Sequence, residues 1–300
     1  MGDAGIKAFG ELIEAMRTTR SFINSKGKKQ AWTQEELAKR SGLSKRLIGR
    51  IERGEPAGVY DDIPALIQAF KLGKEAGEKL YHIAYSPPEE NAPPYVDTET
   101  IKQVFAKLTY PASARTFLWD FIAFNAYHYE VFNYSPEKIA ALKVGDVLGS
   151  NLLRVLFDPF FGHAFKLGGQ DKWRADIVRN LRIFQSKATI YANTRRFKEI
   201  VTEMENYTYF QELWDEAQNS NASESELQLP ITRIQISSNK FIEFVSLRMH
   251  QYLGEDVDVS VYIPVNSSEE KYHELQASVK NKVKNKILDD VYFFGGQPIR

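Results

Sequence analysis

The run TQEELAKRSGLSKRLIGRIERG, residues 33–54, decides how the rest of the chain is read. Thr33 can cap a helix start, and Glu36 can reach back to the Thr33 amide in a reciprocal capping box, which predicts a helix over 34–40. Leu37 and Ala38 give that helix an apolar and a small residue on its inner side. Gly42 supplies the positive φ at which a helix stops and the chain turns sharply. A second helix has to begin at once. Ser44 is its cap, Leu47, Ile48 and Ile51 face inward, and Lys45, Arg46 and Arg50 project from its first two turns. A short helix, a tight turn and a second helix with a cationic N-terminal face make a helix-turn-helix suited to a DNA major groove.

Gln34, Glu36, Leu37, Ala38, Gly42, Ser44, Ile48, Ile51, Glu52, Arg53 and Gly54 together resemble the phage-repressor/Cro class of helix-turn-helix domains nearly position for position. The resemblance implies a DNA-binding set of Gln34, Ser44, Lys45, Arg46, Arg50 and Arg53. Gln34 would bond a phosphate, and Lys45, Arg46 and Arg50 would stand where base edges are read. The chemistry agrees: arginine bonds bidentately to guanine O6 and N7, lysine reaches the same acceptors, and each good contact contributes roughly 1–3 kcal/mol of discrimination. A merely solvated amphipathic helix pair would carry the charge but would not also require the caps, Ala38 and Gly42.

Three hundred residues suggest two domains, each able to bury a core. With 43% hydrophobic and 26% charged residues the composition is that of an ordinary globular protein, and 13% aromatic is rich enough to ask where the rings go. The net charge of zero conceals an asymmetry. Residues 1–84 hold 15 Lys/Arg against 11 Asp/Glu, the remainder 24 against 28, and the window 20–53 alone has 10 against 3. Positive charge is thus gathered on and beside the helix-turn-helix, as phosphate attraction requires. The absence of cysteine excludes disulfides, cysteine-ligated clusters and thiol redox sensing. No apolar run approaches 18 residues and MGDAGIKAFGEL lacks a signal-peptide core, so the expectation is a cytoplasmic protein without membrane insertion.

Ile6, Phe9, Leu12, Ile13 and Met16 repeat at the spacing of one helix face and predict a first helix over 5–17. SFINSKGKKQAW, residues 21–32, reads as a long loop whose Lys26, Lys28 and Lys29 either touch phosphates or are simply solvated. After a bend at Pro56 and Gly58, the patterns around Ile63–Phe70 and Leu80–Ala84 predict a fourth and a fifth helix, completing an all-α helix-turn-helix bundle over 1–85. Residues 86–100 carry four of the twelve prolines and read as a semi-rigid linker to a second domain, 101–267.

In FLWDFIAFNAYHYEVFNY, residues 117–134, eight of eighteen side chains are aromatic. Phe117–Phe124 suits two short strands meeting near Trp119 and Asp120, and Asn125 can cap a following helix. Pro111-Ala112, WDFIAFN at 119–125 and NLLRVLFDP at 151–159, in this order behind this N-terminal domain, resemble the MmyB-like family of transcription regulators. That resemblance implies a PAS-like ligand-binding domain; Leu229-Pro230 in place of His-Pro, Ser150 in place of Arg, and an apparent insertion at 135–149 depart from the family pattern. Helical spacing returns over 172–217, then period-two alternation from 230 predicts three antiparallel strands, the last two separated near Gly254. The expected domain is α+β, a mixed, mainly antiparallel five-stranded sheet with helices on one side.

The aromatic excess permits an apolar cavity with a few polar groups orienting a ligand. The MmyB-like resemblance implies a long-chain fatty acid or similar small apolar acyl ligand. Phe121, Phe124, Leu153 and Phe157 are candidate walls, and Arg154, His163 or Arg182 could meet a carboxylate, although Arg154 also suits an ion pair with Asp158 one turn on. No catalytic or metal-binding residue stands out: the five histidines, at 82, 128, 163, 250 and 273, are scattered, and HExxH, GxSxG, Walker and GxGxxG patterns are absent. Leu275, Val279, Val283, Ile287, Leu288 and Val291 predict an amphipathic helix in a 268–300 tail, packed on its own domain or on a second subunit. One repressor-type bundle reads a half-site, so double-stranded operator DNA implies a homodimer. Two other readings stay open: an antitoxin-like or phage-type repressor whose second domain only dimerises, and an unrecognised enzyme.

Overall fold

Five helices build the N-terminal unit: α1 (Asp3–Thr18), α2 (Gln34–Ser41), α3 (Lys45–Glu52), α4 (Val59–Ala69) and α5 (Lys74–Tyr85). The computed structural model describes residues 3–23, 27–55, 59–85, 98–143, 147–163, 169–219, 231–237, 240–250 and 257–294. The bend at Pro56 and Gly58, Lys26, Leu229-Pro230, Gly254 and most of the 86–100 linker fall outside these residues. Phe9, Leu12, Ile13 and Met16 of α1 meet Leu37, Ile48, Ile51, Leu66 and Phe70 in the core. Residues 21–32 are not all loop: β1 (Ser21–Ile23) and β2 (Lys29–Ala31) pair antiparallel, and Trp32 follows them into the core, stacked on Phe70 at 5.9 Å. Strands this short carry too little pattern to be seen in sequence.

Gly10 lets α1 lie against the end of α3. A Cβ there would fall on the backbone oxygens of Ile51 and Glu52, the second at 2.9 Å. Gly10→Ala should therefore destabilise the bundle by about 1–3 kcal/mol, because backbone cannot give way as a side chain can. Urea unfolding of the variant checks this, and a change within error of zero would contradict it.

The C-terminal unit begins with α6 (Thr98–Lys107), then β3 (Ala112–Thr116), β4 (Phe121–Asn125), α7 (Ala126–Val131), α8 (Pro136–Lys143) and α9 (Leu152–Phe157). A helical block follows, α10 (Gln170–Ala188), α11 (Arg195–Met204) and α12 (Phe210–Asn219). Last come β5 (Ile231–Ser237), β6 (Lys240–His250), β7 (Val257–Pro264), α13 (Glu269–Lys284) and β8 (Val291–Phe293). Among the described residues the sheet has six strands in the order β5-β6-β7-β3-β4-β8, and every neighbouring pair is antiparallel. Three expectations are corrected here. The sheet is six-stranded and antiparallel rather than five-stranded and mixed. The aromatic run does not hold two strands: residues 117–120 form the turn between β3 and β4, with Trp119 in the left-handed region at φ 66. And the helical tail stops at Lys284, after which β8 pairs with β4 at the sheet edge.

Helices cover both faces of the sheet, not one. Ala112, Ala114, Val257, Val259 and Val261 alternate onto the face packed by Ile101 and Phe105 of α6. The opposite face carries Ser113, Arg115, Phe121 and Tyr262 toward α7, α9 and α10. Helix α13 packs on its own unit: Val279 is fully buried beside Tyr127, and the Tyr272 hydroxyl donates to the Thr109 carbonyl at 2.7 Å. Asn125 caps α7, its Oδ1 accepting from the His128 amide at 3.0 Å.

The two units share one continuous apolar cluster, in which Phe70 and Leu80 of the bundle join Phe184, Phe197 and Trp214 of the helical block. Polar contacts fix the seat. The Ser21 hydroxyl donates to Asp215 at 2.8 Å, Lys29 pairs with Asp215 at 2.7 Å, and the Gly73 amide donates to the Ser186 carbonyl at 3.2 Å.

Candidate nucleic-acid interface and ligand cavity

The helix-turn-helix is assembled by its caps. Thr33 Oγ1 accepts from the Glu36 amide at 3.1 Å, Gly42 sits at φ 74 with its amide on the Ala38 carbonyl at 2.9 Å, and Ser44 Oγ accepts from the Leu47 amide at 3.2 Å. The Glu36 carboxylate, expected to reach back to Thr33, instead accepts from Arg40 at 2.6 Å. Ile48 and Ile51 are fully buried, which forces Ser44, Lys45 and Arg46 outward. Among the described residues Arg46 has no hydrogen bond or ion pair, so its guanidinium is open to a base edge, while Lys45 lies 3.6 Å from Glu35. Arg50 and Arg53 share the Glu55 carboxylate at 3.0 and 2.7 Å, and the hydrogen bonds from Arg53 and then Arg50 hold that carboxyl below its usual range. A DNA phosphate offers both arginines the same geometry.

Beneath this surface lies a group the sequence did not expose. Arg17 forks onto Glu52, Nε to Oε1 at 2.6 Å and Nη2 to Oε2 at 3.0 Å, and also donates to the Trp32 carbonyl at 2.6 Å. Gln34 Nε2 donates to the same carboxylate at 2.8 Å, which fixes the Gln34 side chain against the recognition helix α3.

The second site is a cavity of about 80 Å³ between the sheet and α10. Of the proposed ligand-binding residues, Phe121 and His163 line it. The others are placed elsewhere. Phe124 lies one layer back, stacked on Tyr134 at 5.1 Å, and Leu153 and Phe157 belong to the core shared with the helical block. Arg154 pairs with Asp158 at 3.7 Å and donates to the Ala141 carbonyl at 3.0 Å, the ion pair its spacing allowed. Arg182 is on the far side of α10, in a cleft between the units that Arg20 and Lys71 also line. Arg20 is buried there, and burial, with Arg40 nearby, pulls its pKa down to about 10.

At one side of the cavity His163 Nε2 lies 3.3 Å from Asp176, which also accepts from Arg179 and Asn180. Burial pushes the Asp176 carboxyl up, but His163, Arg179 and Asn180 outweigh it and hold the carboxyl below its ordinary value. A carboxyl lowered on folding contributes stability above its unfolded pKa and loses it as pH falls through the folded value. The stability difference between wild type and Asp176→Asn should therefore be present at neutral pH and shrink below about pH 4; a difference that stayed constant through an acid titration would contradict the assignment.

On the sheet side the wall is polar: Ser113 and Arg115 of β3, with Ser246 and Tyr262 from β6 and β7. Arg115 is 2% exposed and Ser113 1% exposed. Arg115 donates one bond, to Ser260 Oγ at 3.1 Å, and its guanidinium lies 5.0 Å from the centre of the Trp119 ring. Arg115 Nε and Ser113 Oγ have no hydrogen-bond partner among the described residues.

The motifs flanking the cavity are joined by a third buried group. Asp120, of the WDFIAFN run, accepts from Asn151 Nδ2 at 2.9 Å and from Arg196 at 2.5 and 3.1 Å, and Asn151 also caps α9. Sequence gave Asn151 a place in a motif but no sign of Arg196, which arrives from α11.

No described helix is long and apolar enough to cross a membrane. No curated protein matches the chain. Residues 28–57 match the helix-turn-helix family model, which spans β2 and the two helices whose caps and cations are described above. The chain therefore carries the DNA-binding element of a transcription regulator.

Proposed function

We propose that this is a cytoplasmic, ligand-responsive transcription regulator that binds operator DNA as a homodimer and has no catalytic activity of its own. The C-terminal unit is read as a PAS-like sensor of the MmyB-like kind, taking a fatty acid or similar acyl ligand. The observation that carries the DNA half is the open guanidinium of Arg46 on the exposed end of α3. The sensor half is supported by the cavity, which sets Phe121, Phe132, Leu152, Val155 and Leu156 beside a polar wall that includes Ser113, Arg115 and Tyr262.

Small-molecule pockets typically measure about 300–1,000 Å³, so a long acyl chain would have to displace aromatic walls from the 80 Å³ cavity. That displacement links ligand to DNA. Helix α10 borders the cavity with Asp176 and Ile183 and the bundle with Ser186, so a shift of α10 would change how the bundle is held. Ligand alters DNA affinity only by its differential affinity for the two arrangements.

Mass spectrometry of small molecules released from purified, denatured protein tests the sensor reading. Recovery of one acyl species near one per chain is expected. Repeated recovery of nothing, with no affinity for added fatty acids, would leave a DNA-binding protein whose second unit only dimerises, and turnover of a bound acyl compound would make it an enzyme.

A further inference from the structure

The cavity face of the sheet holds a cation that the fold leaves incompletely satisfied, and this is costly unless something completes it. Arg115 is buried, its Nε has no partner, and Ser113 Oγ, two residues along the same strand and on the same face, has none either. No ion pair reaches Arg115 among the described residues. Its cross-strand neighbour Asp258 is taken by Lys187 at 3.2 and 3.4 Å. The other charges on the wall do not compensate it, because Asp176 is engaged by Arg179, Asn180 and His163. Two guanidiniums and one carboxylate line the cavity, and with Asp176 held by Arg179 the positive charge left over is that of Arg115, on the sheet side.

We infer that Arg115 and Ser113 form the head-group site of the cavity and select a singly charged carboxylate, with its hydrocarbon part lying toward Phe121, Phe132 and Val155. A carboxylate supplies two acceptor oxygens, one for the guanidinium edge and one for the hydroxyl, and neutralises the charge left over. An alcohol or ester of the same chain offers acceptors without charge and leaves Arg115 uncompensated. The inference rests on the sensor reading above and goes beyond it in naming the anchor, the head group and the orientation.

Octanoate and 1-octanol share a chain and differ in the head group, so their affinities measured by calorimetry isolate the anchor. The wild type should bind octanoate about 10- to 100-fold more tightly than 1-octanol, the range for hydrogen bonds to a charged group. Arg115→Met should abolish that preference by weakening octanoate far more than 1-octanol, and should cost the apo protein little stability, since the apolar side chain that replaces an uncompensated buried charge gives up one hydrogen bond, to Ser260. Ser113→Ala, which removes no existing hydrogen bond, should weaken octanoate more than 1-octanol and serves if Arg115→Met does not fold. Equal binding of both compounds to wild type and variants would overturn the anchor and leave the acyl reading standing. Binding of neither by the wild type would overturn both.

Discussion

Arg17→Ala is expected to lose about 3–5 kcal/mol of stability and, with it, the fixed orientation of the recognition helix. The reason is the asymmetry of buried ion pairs. Arg17 and Glu52 are each 9% exposed, and truncating the arginine leaves the Glu52 carboxylate buried with only Gln34 to answer it. Glu52 closes α3, and Arg17 also holds the Trp32 carbonyl, so α1, α3 and the approach to α2 loosen together. Chemical denaturation followed by circular dichroism measures the loss. Removing both charges, as Arg17→Met with Glu52→Leu, should restore most of it, because the desolvation cost disappears with the pair. A single variant costing less than about 1 kcal/mol, as a surface pair would, would show that the group does not organise the bundle.

Arg196→Ala is expected to have an effect of the same order, about 3–5 kcal/mol, in the C-terminal unit. Asp120 is 1% exposed and Asn151 fully buried, and Arg196 supplies both charge-assisted bonds to that carboxylate while also donating to the Val147 carbonyl. Without it the turn between β3 and β4, which already holds Trp119 at a positive φ, loses its anchor to α11 and leaves the buried Asp120 carboxylate with only Asn151, at the start of α9, to answer it. Combining Arg196→Met with Asp120→Asn removes both charges but keeps an acceptor for Asn151, and should recover a large part of the stability. Because the core is continuous from this turn to the bundle, hydrogen exchange in Arg196→Ala should rise in α10 and α5 as well as near Asp120. Exchange confined to residues next to the substitution would contradict that continuity.

What could be read from sequence was local. Thr33, Ser44 and Asn125 accept from amides three residues on, and Gly42 donates its own amide to a carbonyl four residues back, so their types and spacing suffice to place helix ends. What could not be read depends on partners far along the chain. Arg17 meets Glu52, Asp120 meets Arg196, and His163 meets Asp176 only after the elements have packed. Arg115 escaped notice for a different reason. ASART and VDVSVY alternate, and alternation separates two faces of a strand without saying which meets water. The face carrying Ser113, Arg115, Asp258 and Ser260 looks like a solvated one, yet helices cover it. Likewise Val291 continues a helical spacing that β8 then breaks, because pairing with β4 outweighs a weak helical preference over three residues.

The assignment of α3 to the major groove is tested most directly by selecting bound duplexes from a random pool with the wild type and with Arg46→Ala. The wild type should enrich a near-palindrome with half-site centres about 34 Å or a multiple apart, and Arg46→Ala should relax the preference at one base pair of each half-site while leaving the rest of the motif. An identical motif from Arg46→Ala, or no motif from the wild type, would contradict it.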